Sequence, residues 1–155
     1  MTAEKLEELI FTLEPKAFVK AVADLTDKER SSLSATAKSV HIQMYRGKPN
    51  KNASPALLDF FNGMKKKYNE YQSYFGDDNF LNSCLAVFAC SPLSELNKGT
   101  GRGFVDTDLI LQVLLDRRPD WLSNYCEHAL NRGENGTKFL IMIRTFVGEG
   151  LMESP

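Results

Sequence analysis

The chain is poor in the residues that usually do chemistry. Its 155 residues include only two histidines, His41 and His128. A nucleophilic triad needs an imidazole base held against serine or cysteine, so few constellations are open to it. Cysteine is also scarce: Cys84, Cys90 and Cys126 form an odd count at no framework spacing, which excludes a disulfide-stapled scaffold. No window approaches the ~18 consecutive apolar residues of a membrane span. The opening MTAEKLEELI lacks the basic-then-apolar order of a secretory signal. Net charge is only −1, so the whole molecule is not a polycation drawn onto nucleic acid or anionic lipid. These absences predict a cytoplasmic chain with reduced thiols, no metal, no cofactor and no membrane association.

Hydrophobic residues make up 43% of the chain, and 155 residues suffice for one ordinary core, so a single helical domain over 1–155 is expected. Their spacing is helical almost throughout. Leu6, Leu9, Ile10 and Leu13 fall on one face of a first helix, and Pro15 suits the first turn of a second bearing Phe18, Val22 and Leu25. Thr26 with Glu29 reads as a capping box before Leu33, Ala37, Val40 and Met44, and Gly47 as a left-handed stop. After the polar loop 48–54, Ser54-Pro55 opens the most regular helix, with Leu57, Phe61, Met64, Tyr68, Tyr71 and Phe75, ended by Gly76. Gly63 lies inside it at a cost of ~1 kcal/mol relative to alanine.

An acidic cap at 77–79 precedes Leu81, Cys84, Leu85 and Phe88, and Ser91-Pro92 begins a short helical piece. Asp106 caps Leu109, Ile110, Val113 and Leu114; Pro119 opens a helix with Trp121, Leu122 and Tyr125; a last helix starts near Thr137. No segment alternates with period two between hairpin turns. The fold class is therefore all-α: antiparallel helix pairs in a HEAT-like α-solenoid or an irregular bundle of roughly seven to nine helices.

Candidate chemistry competes at each point with a plainer reading. Cys126 and His128 stand two apart, about 200° round a helix, so a dyad would need His41 from elsewhere. Neither CxxC nor HxxxH spacing offers zinc a ligand pair. The loop Gly99–Gly103 before a capped helix resembles a phosphate cradle, yet it carries no P-loop or dinucleotide pattern, and Asp106 and Asp108 would repel phosphate. Acidic residues at helix starts are explained by the helix dipole.

The main charge feature lies between 38 and 67, where Lys38, Arg46, Lys48, Lys51, Lys65, Lys66 and Lys67 face only Asp59. If they converge in space they make a ridge for an anionic partner. If not, they are solvated faces beside a core filled by Phe60 and Phe61.

The runs CLAVFACSP, LLDRRPDWL and FLIMIRTFVGEGLMESP resemble an uncharacterised bacterial family of helical proteins. Arg118, Pro119, Trp121 and Leu122 match its Arg-Pro-x-Trp-Leu element, and Gly150, Leu151 and Pro155 its Gly-Leu-x-x-x-Pro element. The resemblance implies a helical, solenoid-like fold and no particular activity. Members of that family are longer, so it implies either a compact relative or an N-terminal module. Apart from the family, Pro119 and Asp120 suit a helix start, and Trp121 supplies area for locking one helix on another.

The expectation from the sequence is a non-enzymatic domain that binds another protein. The candidate contact residues are Lys48, Lys51, Lys65, Lys66 and Lys67, with Arg117, Arg118 and Trp121 if that corner is exposed. Binding of nucleic acid or another polyanion through 38–67 is the alternative. An enzyme with an unrecognised site is the third.

Overall fold

The computed structural model of the protein describes residues 1–67, 75–91 and 105–131. Among them are seven helices and no strand. They are α1 (Ala3–Thr12), α2 (Pro15–Ala23), α3 (Asp27–Arg46), α4 (Pro55–Lys67), α5 (Asp78–Cys90), α6 (Thr107–Arg117) and α7 (Pro119–Asn131). No helix among the described residues is long and apolar enough to cross a membrane. The short piece expected after Ser91, the glycine loop 99–103, the last helix, Tyr68, Tyr71 and the His128 side chain lie outside the described residues.

The chain divides into two compact units, Met1–Cys90 and Ser91–Pro155. In the first, short polar side chains start the helices. Thr2 Oγ1 accepts from Lys5 N at 3.1 Å, and Ser54 Oγ from Leu57 N at 3.3 Å, each satisfying an N–H that the helix cannot. The Thr26–Glu29 box is reciprocal, with both hydrogen bonds at 3.1 Å. Gly47, at φ 74°, ends α3 and donates its N–H to Gln43 and Met44 carbonyls, a conformation that other L-residues resist. Phe75 and Gly76 form a 3₁₀ turn just before α5. Asp77 caps α5 through Asn79 N at 2.9 Å.

α5 is the centre of this unit. Every residue from Phe80 to Cys90 is buried, and the helix packs against α1, α2 and α3. A helix apolar on all sides has no solvent face and must be surrounded. Asn82, in its midst, is there to be used: its Nδ2 donates to Ile10 O at 3.1 Å and Leu13 O at 2.8 Å, satisfying carbonyls at the end of α1. α1 also packs on α3 and α4.

In the second unit the described part is the α6–α7 pair. Asp106 Oδ1 caps α6 through Leu109 N at 3.1 Å, and Arg118 alone separates the two helices. They pack on one another, with Ile110, Leu114, Leu122 and Cys126 fully buried.

Candidate functional site

Of the residues the sequence singles out, Lys48 and Lys51 lie exposed on the α3–α4 loop. That loop is held by Gln43, which is buried: its Oε1 accepts from Asn50 N at 2.7 Å, while Nε2 donates to Ser39 O and Oγ. Lys65, Lys66 and Lys67 occupy the last turn of α4, also exposed, where positive charge suits the helix dipole. The first group precedes the start of α4 and the second lies in its last turn. Lys67 is engaged with Asp77 at 3.3 Å, tying the end of α4 to the cap of α5. Lys48, Lys51, Lys65 and Lys66 have no ion pair among the described residues.

The Arg117/Arg118/Trp121 corner is occupied by its own contacts. Trp121 is 5% exposed and stacks on Tyr125 with ring centroids 5.2 Å apart. Arg118 forks onto Asp120, Nε to Oδ1 at 3.2 Å and an Nη to Oδ2 at 2.9 Å. That guanidinium holds the Asp120 carboxyl below its ordinary pKa. Arg117 is half-buried.

The histidine that matters is His41, and the sequence does not show what it meets. It is fully buried, with Nδ1 3.1 Å from Ser83 Oγ and 3.9 Å from Cys84 Sγ. Imidazole, hydroxyl and thiol together resemble a nucleophile and its base. Ser83 Oγ also donates to Phe80 O at 2.7 Å. Ser83 and Cys84 are fully buried, and Phe80 lies 5.4 Å from the imidazole, so the three polar side chains meet inside the core. The Cys90 and Cys126 thiols are held protonated by their surroundings. Burial pushes Cys90 up to about 11, and burial with the Glu127 charge pushes Cys126 up to about 12, so both stay protonated at neutral pH. Cys126 is fully buried. All three cysteines are free. Among the described residues no group of three His, Cys, Asp or Glu side chains could hold a metal ion.

What the sequence does not announce is a groove between α1 and α4, with a volume of about 430 Å³. Phe11 and Phe60 form its base, their rings 5.2 Å apart and inclined by 37°, beside Met64. Ala56 and Gly63, seven apart on α4, leave it open, and a Cβ built on Gly63 meets nothing within 4 Å. Glu8 from α1 and Asp59 from α4 stand exposed at its edges. Phe11 falls off the Leu6–Ile10 core face of α1, and Ala56 and Gly63 share one side of α4. Those are the only sequence signals, and only the packing of α1 on α4 makes them one site. A second, polar hollow of about 310 Å³ lies at the α3–α4 loop, where Lys51 and Glu7 offset one another.

Compared with protein-family models, curated proteins and solved structures, the chain finds no match.

Proposed function

We propose that this chain is a non-enzymatic helical domain that binds another protein, and that the α1–α4 groove is where the partner docks. The observation that carries this reading is the open apolar hollow over Phe11, Phe60 and Met64, bounded by small residues on α4. Grooves between helices receive the apolar side of a third helix. Filling this one with a leucine or aromatic side chain would contribute about 1.5–3 kcal/mol, enough to act as an anchor. Free buried thiols suit a reducing compartment, and we place the chain in the cytoplasm on that ground. The likeness of Arg118–Leu122 to a bacterial helical family belongs to the same proposal and adds a solenoid-like architecture without an activity.

The test is affinity capture from lysate at low and high salt, with and without nuclease, comparing the chain with Gly63→Trp. The substitution fills the groove from a position where added atoms meet open space, and it replaces a poor helix former. A protein retained through high salt by the parent chain and lost by Gly63→Trp is the expected result. One specific observation favours a second reading, polyanion binding: Lys48, Lys51, Lys65 and Lys66 are exposed without a carboxylate partner among the described residues. Nuclease-sensitive, salt-labile capture that Gly63→Trp leaves intact would establish that reading instead.

A further inference from the structure

The groove is apolar at its base and acidic at both edges. Among the described residues no lysine or arginine lines it. Asp59 has no ion pair among the described residues, although the surrounding sequence is rich in lysine. Glu8 touches Lys5 at 3.4 Å, but both side chains are more than half exposed, so solvent competes with the pair and a partner can displace it. The acidic character continues along α1. Glu4, Glu8 and Phe11 follow one another at spacings of four and three, so they share a stripe that leads from exposed carboxylates into the hollow. On α4 the facing stripe runs from Ala56 through Asp59 and Phe60 to Gly63, roughly 10 Å along the axis. Walls of this length accept about two turns of helix, and the missing side chain at Gly63 lets its backbone come close.

We infer that the occupant is an amphipathic helix with a single large apolar anchor and lysine or arginine three or four, and again seven, residues to one side of it. The anchor sits over Phe11, Phe60 and Gly63, and the basic residues lie against Asp59, Glu8 and Glu4. The spacing follows from the α1 stripe: Glu8 is three residues and Glu4 seven residues before Phe11, and a helix packed alongside repeats those intervals. This assignment rests on the interaction-domain reading and adds the partner's chemistry.

The test is selection of helical peptides of about 16 residues from a displayed random library against the full chain, at low salt. The expected consensus has an aromatic or leucine anchor with Lys or Arg at those intervals. Binding of the selected peptides should weaken by roughly tenfold in a Glu8→Lys/Asp59→Lys variant and be lost in Gly63→Trp. The melting temperature should not fall in any of these variants, since all the altered side chains face solvent. The charge-reversed variant should itself select peptides with acidic flanks. Three results would overturn the assignment: no enrichment, a consensus without basic flanks, or basic peptides indifferent to both variants. A dimer in sedimentation that Gly63→Trp dissolves would also overturn it, by naming a second copy as the occupant. If salt-resistant capture of a protein is lost in Gly63→Trp while the peptides are not basic, the charge assignment fails and the docking groove stands.

Discussion

At the scale of single residues, buried polar groups are the most informative. Asn82 looks out of place on a helix otherwise buried in apolar surroundings, yet it donates to two carbonyls of the α1 terminus. Asn82→Ala removes both donors while leaving the carbonyls under α5, and should lower stability to urea by about 2 kcal/mol. A change of under about 0.5 kcal/mol would show that water replaces the amide. His41 was legible in part: it lies four after Ala37 and three before Met44, on the core face of α3. Its hydrogen-bond partner Ser83 is 42 residues away, and nothing local records that separation.

The Asp120 carboxyl is lowered by Arg118, then raised slightly by burial. A depressed folded value means stability that is present in full at neutral pH and fades as pH falls from the ordinary 3.8 through the folded value. Arg118→Gln should return the Asp120 titration, followed by carboxyl NMR, towards that ordinary value. An unchanged titration would assign the shift to the start of α7 instead.

At the scale of helices, sequence and structure agree where the cause is local. Capping at Thr26, Ser54 and Asp106 and the stop at Gly47 depend on neighbours within four residues, and each is where the spacing places it. The ring of Phe75 stacks on Phe80 at 4.5 Å and on Tyr45 at 5.8 Å, a contact with α3 that helical spacing alone does not show. α4 provides the cleanest test at this scale. Gly63 has open space where its side chain would be, so Gly63→Ala should raise stability by about 1 kcal/mol in thermal unfolding. A loss of stability would mean that the chain itself, rather than anything docking on it, needs glycine there.

At the scale of the molecule, the helical class was legible because periodicity is repeated in every element. The candidate site was not, because it is made by two helices more than forty residues apart in sequence. Charge counting draws attention to Lys48, Lys51 and Lys65–Lys67, and a linear count cannot show where a loop and a helix end lie in space. It counts Asp59 only as the one acid among those lysines and passes over Glu8, and both carboxylates acquire meaning beside Phe11 and Phe60. The sequence allows Trp121 to be a packing anchor or a contact residue, and its burial against Tyr125 is that of a packing anchor.

The central claim is that α1 and α4 together form the docking surface. Hydrogen exchange read by mass spectrometry, on the chain alone and with the protein it captures, tests this directly. The account predicts added protection confined to segments covering residues 4–12 and 56–64. Protection at 48–54 and 65–67, with 4–12 exchanging as before, would contradict it and place the partner on the lysines.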